Sequence, residues 1–521
     1  MNRASLVLGL MALVYVTVIS AGRCAAAAGQ DNGGPDWRDL YLRWQTGSLG
    51  AQFASADFAE QFGGPYWYTV NLQGQRAGYL RWQAMSVSSE AGARLRIEEC
   101  SKVGFAIDGR AQQMVGRQVT SYDEKLRPAR IELWQNLMGR ASETTVVAAA
   151  DKLHITVEQP DGTHSREVAR PDDFGSEFLV MFAAAAGEIG PGWQVVFSGF
   201  DPYIGQLDTY TVSFQRREET AAGTRTLLHT RMAKMGITVE TWLGPEGSIV
   251  RQSLPELMGL EVVRATEEEA LAEIVGPALS SGISVGLPPR DPHRSEQVSL
   301  IASTAAGSVT ELIPASDRQQ VIARPDGSAE VITGAQPPPT QVVQLPISDP
   351  DLVSYLEPNE ITQSDSETIR KLAQSIIGQE RDAWKCARAL LDWVHHHLRR
   401  VKSEPRPISA LEVLQQGEGD CSEHAVLLAA LAKAVGIPPR IVIGLVYTNG
   451  AYGYHEWNEL YVGEWVQMDP SWGRYTIGAG HVRLASGPAA REAMLNNNLA
   501  AGRTIGTLFL KFNPQQPEDR N

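Results

Sequence analysis

The sequence predicts an α+β protein: a β-rich N-terminal region of antiparallel sheets, followed by a C-terminal domain in which helices and strands mix. Three observations carry this prediction. Across residues 35–332, short alternating or β-branched runs recur between turn residues, as at Tyr66–Leu72 ahead of Gln73-Gly74 and at residues 153–158 ahead of Asp161-Gly162. Residues 333–349, with Pro337-Pro338-Pro339 near the start, follow. Proline lacks an amide hydrogen and stiffens the chain, so this stretch reads as an interdomain linker. Beyond it the apolar spacing turns helical, with Ile369, Leu372 and Ile376, then Ala387, Leu390, Leu391, Val394 and Leu398 on one side of each segment.

The elements follow in order. Residues 144–148, 193–197 and 209–214 are further strands of the N-terminal region, which forms one or two domains. Residues 122–136 and 239–254 share a strand, turn and strand pattern, a weak hint of duplication. Glu267, Glu268 and Glu269 favour the first turn of a short helix over 266–275, where the helix dipole is positive. Residues 350–490 form the C-terminal domain, and residues 491–521 are read as a tail that frays at its polar end.

With 46 Lys and Arg against 60 Asp and Glu, the net charge is −14. A nucleic-acid binder needs clustered surplus cations, and no such cluster exists. An apolar fraction of 43% and a charged fraction of 20% fit a globular chain, and 521 residues correspond to about three domains. A polytopic membrane protein is excluded. Arg3, the uncharged apolar stretch 4–22 and the small residues Ala25 to Ala28 have the layout of a secretory signal peptide over residues 1–27. Export to the periplasm or outside the cell is expected, and proximity to a membrane only if this segment stays uncleaved.

Removal of the signal would leave Cys100, Cys386 and Cys421, an odd number in an oxidising compartment, so at least one thiol stays free. Nothing resembles C-x-x-C, which excludes a cysteine zinc module. Cys100 and Cys386 either pair or remain two buried thiols.

The chemistry centres on Gly417-Glu418-Gly419-Asp420-Cys421-Ser422-Glu423-His424-Ala425 and the apolar run that ends at Gly436-Ile437-Pro438-Pro439. Glycines and Asp420 start a helix and Gly436 stops it, so Cys421 occupies the first turn. There the free amides and the dipole favour thiolate, which predicts a lowered pKa. Downstream, the runs 454–461 and 465–472 flank a glycine loop and read as a hairpin. His455, Trp457, Glu459 and Tyr461 share one face by the two-residue period. A three-residue loop, Val462 to Glu464, makes Trp457 oppose Asp469 and His455 its diagonal neighbour; a two-residue loop puts the pair on opposite faces. A thiol nucleophile needs a base, and the base needs a group that holds its tautomer. Cys421, His455 and Asp469 would supply nucleophile, acid/base and orienter.

These residues resemble the transglutaminase-like superfamily. The resemblance rests on Gly-Asp-Cys421-Ser-Glu-His-Ala, Gly436-Ile437-Pro438-Pro439-Arg440, His455-Glu-Trp457 and Asp469-Pro470-Ser471-Trp472, four motifs in order across residues 364–484, with Ala410-Leu411 ahead of the cysteine. It implies a papain-like domain in which the cysteine helix packs on an antiparallel sheet bearing His455 and Asp469, with Cys421, His455 and Asp469 as the catalytic triad. Trp457 and Trp472 fall where they would wall the site and contact substrate. The family implies an acyl-thioester route on peptide or protein amide bonds. Water is always present and a bound amine is not, so a cysteine peptidase or amidase is the first expectation. A protein-crosslinking transglutaminase and a non-catalytic exported peptide-binding or assembly protein are the alternatives.

No cofactor and no metal are expected, since the chain has no calcium loop of the D-x-D-x-D-G type. His395-His396-His397 invites a metal, but consecutive helix residues point about 100° apart. His424, one turn after Cys421, is a rival base that lacks an orienting carboxylate.

Overall fold

A computed structural model of the chain describes residues 64–514, apart from 88–94, 108, 124–126, 138–139, 160–161, 176–188, 202–205, 234–236, 246, 256–257, 281, 289, 306 and 402–408. The expected signal peptide and Cys24 lie outside the described residues. The chain divides into two compact units at Leu279/Ser280.

The N-terminal unit is antiparallel sheet apart from the short strand Ala278–Leu279, which pairs in parallel with Leu95–Ile107. Among the described residues fifteen strands share one sheet, each long strand pairing with its sequence neighbours, and Tyr66–Leu72 joins the two halves by pairing with both Gln75–Ser86 and Leu260–Ala265. The first hairpin turns at Gln73 and Gly74, both at positive φ, which matches the right-handed twist of the flanking strands. Leu95–Ile107 alternates strictly between buried and half-buried positions, and its inward set includes Leu95, Ile97, Val103, Phe105 and Ile107. The expected helix is short, Glu267–Leu271, and is started by a capping box between Thr266 and Glu269. The sheet signal was legible because the long central strands, such as Leu95–Ile107, alternate with one face in the core.

The C-terminal unit begins with β1 (Gly282–Ser284), β2 (Gln297–Thr304), β3 (Gln319–Ala323) and β4 (Ala329–Gly334). Four helices follow: α1 (Glu367–Ile377), α2 (Ala383–His397), α3 (Ala410–Gln416) and α4 (Cys421–Ala434). Then come β5 (Pro439–Thr448), β6 (Ala451–Tyr461), β7 (Trp465–Met468), β8 (His481–Pro488), α5 (Arg491–Gly502) and β9 (Leu508–Phe512). One antiparallel sheet runs β1-β6-β5-β8, with β7 also on β6; a second runs β3-β4-β2-β9.

The Pro-rich segment lies inside this unit rather than between units. Its backbone bonds to the domain, Gln336 N–H to Ile477 O, Val343 N–H to Val462 O and Leu345 N–H to Arg381 O. Pairing of β1 with β6 and of β2 with β9 ties residues 280–334 to the C-terminal part. The segment expected as a tail is likewise structured up to residue 512, because the apolar residues of Leu508-Phe-Leu-Lys-Phe512 complete a sheet edge; residues 515–521 lie outside the described residues.

The core forms around α4. Its residues from Cys421 to Lys433 are all buried, which suits its Ala and Leu composition and the absence of a polar face. It packs against α1, α2 and α3 on one side and β5 and β6 on the other. Among the described residues no helix is long and apolar enough to cross a membrane.

Candidate active site

The start of α4 is fixed by its own sequence. Gly417 ends α3 in a left-handed conformation. Asp420 then caps α4, its side chain accepting from the Ser422 N–H at 3.1 Å while Glu423 accepts from the Asp420 N–H at 2.8 Å. A Cβ at Gly419 would stand 2.3 Å from Cβ of Glu423, so the capping box needs glycine there. Cys421 is the first helical residue, and the Glu456 backbone N–H of β6 donates to its sulfur.

The hairpin of β6 and β7 has the three-residue loop. Tyr461 pairs with Trp465 and Asn458 with Met468, so the next step sets Trp457 against Asp469. Asp469 closes the strand and caps the turn Pro470–Trp472. Its two oxygens divide the work. Oδ1 accepts from Ser471 N–H, Trp472 N–H and Ser471 Oγ–H, while Oδ2 accepts from His455 Nε2–H at 2.7 Å. With Nε2 committed to Asp469, Nδ1 is the nitrogen of His455 left for a thiol. Cys421, His455 and Asp469 are 1%, 1% and 0% exposed, so the site is closed.

Burial governs the electrostatics. It pushes the Cys421 thiol well above its ordinary value, the Asp420 and Glu456 carboxylates add to the rise, and the Glu456 amide only partly opposes it. This reverses the expected lowering, because the helix-start effect is weaker than removal from water in a closed site. Burial would also raise the Asp469 carboxyl, but the charge of His455 and hydrogen bonds from His455 and His481 outweigh it and hold the group well below its usual range.

His481, at the start of β8, carried no signal in the sequence beyond a polar residue opening an apolar strand. It is buried, with Nε2 3.5 Å from Asp469 Oδ2, and burial lowers its pKa to about 4. His455, Asp469 and His481 are also the described residues whose ligand atoms, all within 4.8 Å, could hold a metal ion; the hydrogen bond between His455 and Asp469 satisfies that pair without one. His293, from the segment between β1 and β2, stands edge-on to Trp472 and His481 at 5.1 and 5.6 Å.

The two tryptophans part company. Trp457 is fully buried, with Nε1–H bonded to Gln467 at 2.9 Å and its ring over Gly444, where a Cβ would meet it at 2.6 Å. It packs in the core beside the His455 ring, with centroids 6.1 Å apart. Trp472 lies 5.6 Å from the His455 ring and lines a cavity of about 380 Å³ with His395, Arg400, His424, Ser471 and Arg474, floored by Leu398. His424 donates Nδ1–H to Asp420 O within its own helix, at 2.6 Å. Of the three consecutive histidines only His395 reaches the cavity; His396 and His397 bond back to carbonyls of α2. Cys100, Cys386 and Cys421 are all free thiols.

Three solved structures are similar to parts of the chain. A candidate cysteine protease from Cytophaga hutchinsonii is 18% identical, over 44% of this chain and 82% of that one, with a TM-score of 0.29. A β-barrel-like protein of a domain of unknown function from Brucella abortus is 9% identical, over 39% and 94%, with a TM-score of 0.29. A candidate protease from Parabacteroides distasonis is 11% identical, over 74% and 66%, with a TM-score of 0.18. Comparison with curated proteins found no match. Residues 370–470, which hold Cys421, His455 and Asp469, match the model of the transglutaminase-like superfamily, and the C-terminal part of this chain carries a transglutaminase-like domain.

Proposed function

We propose that the C-terminal domain is a cysteine-dependent acyl-transfer enzyme that hydrolyses peptide or protein amide bonds, with Cys421 as nucleophile, His455 as acid/base and Asp469 as its orienter. The observation that carries this reading is the buried 2.7 Å bond from His455 Nε2 to Asp469, on the strand whose next residue, Glu456, donates its amide to the Cys421 sulfur. A carboxylate on Nε2 fixes the tautomer and offsets the charge that arises when Nδ1 takes a proton.

The Cys421 thiol proton passes to His455 Nδ1 as the sulfur attacks the amide carbon, and the C=O pair moves onto oxygen. The oxyanion collapses, the C–N bond breaks, and the imidazolium proton goes to the leaving amine, giving a thioester. Water attacks the thioester, His455 takes its proton, the acid leaves and the thiol is restored. The Cys421 backbone N–H, at the first helical position, has no intrahelical partner and is a donor for the oxyanion. The reading includes export, on the strength of the N-terminal segment.

The test is the purified full chain with casein and a labelled primary amine, following new peptide ends and amine incorporation beside Cys421→Ala. New ends made only by the wild type support hydrolysis. Incorporated label supports the crosslinking alternative, and activity that survives in Cys421→Ala ends the cysteine reading.

A further inference from the structure

The cavity beside the catalytic centre is cationic in an acidic chain. Arg400 and Arg474 both line it, and among the described residues no carboxylate does. Among the described residues neither guanidinium has an ionic partner, although pairing is the habit of this domain. Arg399, one residue before Arg400 on the same short strand, bonds to Glu418, and Arg440 and Arg483 share Glu459. Alternation along the strand sends Arg400 the other way, with its guanidinium carbon 5.8 Å from the Trp472 ring.

Three of the lining residues neighbour the catalytic ones. His424 is one helical turn after Cys421, Ser471 donates its hydroxyl to Asp469 at 2.8 Å, and Trp472 lies 5.6 Å from His455. The lining histidines are held by their Nδ1 atoms, His395 on Pro470 O at 3.0 Å and His424 on Asp420 O, which leaves Nε2 of each as its remaining polar atom. A volume of about 380 Å³ falls within the range of about 300–1,000 Å³ typical of ligand sites.

We propose that this cavity binds a carboxylate of the peptide substrate, held by Arg400 and Arg474, so that the enzyme prefers substrates with an acidic group close to the scissile bond. The inference rests on Cys421 being the nucleophile. Two planar guanidiniums match a carboxylate by forked hydrogen bonds, and unpaired they are free to receive one. The carboxylate is either an aspartate or glutamate side chain or the chain terminus.

The experiment separates these sources and the two proposals. Full-length Cys421→Ala is titrated calorimetrically with three blocked alanine hexapeptides: one glutamate with an amidated end, one glutamine with an amidated end, and the glutamine peptide with a free terminal carboxylate. The glutamate or the free-acid peptide is expected to bind at least about fivefold tighter than the neutral one, and Arg400→Gln/Arg474→Gln in the same background to erase the difference. Both arginines are exposed, so the double variant keeps the fold. Equal binding, no binding, or a preference that survives the double variant overturns the inference. Casein cleavage by the wild type is run in parallel. If cleavage needs Cys421 but charge preference is absent, this inference alone fails; if cleavage survives in Cys421→Ala, the catalytic reading fails and the binding result stands by itself.

Discussion

His481 directs Nε2 at Oδ2 of Asp469 from 3.5 Å, the same oxygen that accepts from His455 at 2.7 Å. The second imidazole is buried, and its Nδ1 has no hydrogen-bond partner. Burial keeps its pKa near 4, so it would stay neutral at a pH where His455, in the proposed mechanism, takes a proton.

This arrangement makes folding sensitive to acid. Between the ordinary histidine pKa of 6.5 and about 4, the unfolded chain binds a proton that folded His481 refuses. The contribution is complete above about pH 6.5 and is lost as pH falls to 4, about 3 kcal/mol over the window. Asp469, whose carboxyl is held low, adds stability that persists until pH drops below the usual carboxylate range. Glu423, raised by burial and by Asp420, has the opposite slope, as does Glu99, raised to about 8 by burial. The readout is therefore the difference between wild type and His481→Asn in urea unfolding at pH 7, 5.5 and 4.5. The variant is expected to lose less stability than wild type on acidification; parallel curves would remove His481 from the account.

Asp469→Asn tests the orienter. The amide oxygen can still cap the turn toward Ser471 and Trp472, so the fold should survive. The amide nitrogen would then face His455 Nε2–H donor to donor, which forces the other tautomer and takes the proton to Nδ1, where the thiol needs an acceptor. Turnover is expected to fall about 10³–10⁴-fold with substrate affinity nearly unchanged. A fall matched by lost thermal stability would instead make Asp469 a structural carboxylate.

Cys421 should behave unlike an activated surface thiol. Burial raises its pKa, so iodoacetamide at pH 7 is expected to label it more slowly than a free cysteine, with the rate still rising above pH 9. Cys386, pushed up to about 11 by burial and by Glu380 and Asp382, serves as an internal comparison. Labelling followed by mass spectrometry reads both. Fast labelling of Cys421 at pH 7 would mean that the closed site opens readily in solution.

The sequence was most informative where chemistry is local. Asp420 and Glu423 form a capping box within four residues that starts the helix at Cys421, and the period of the hairpin narrowed the His455–Asp469 pairing to a choice of loop length, which the pairing of Tyr461 with Trp465 decides. His481 and His293 escaped because β8 and the β1–β2 segment reach the site only through tertiary packing, with no motif of their own. Arg400 and Arg474 escaped likewise: they are 74 positions apart and meet only as walls of one cavity. The thiol pKa departs from the expectation set by the helix start for a related reason. A helix start is visible in sequence, but the depth at which it lies is set by the sheets around it.

Trp472 carries the last prediction. Its Nε1–H is buried without a hydrogen-bond partner, on a side chain that stands beside His455 and lines the cavity. An unmet buried donor costs about 1–3 kcal/mol, so its persistence next to the reacting groups is accounted for if an oxyanion uses it during turnover. Trp472→Phe removes the donor and keeps an aromatic ring against His455 and under Arg400. Loss of a transition-state donor should lower kcat about 10²-fold and leave KM within about twofold, while stability changes by only about 1 kcal/mol because the deleted group was unbonded in the resting protein. Steady-state kinetics beside thermal unfolding distinguishes the outcomes: a rise in KM with kcat intact would make Trp472 a substrate platform, and an unchanged enzyme would leave the Cys421 amide as the donor on which the oxyanion depends.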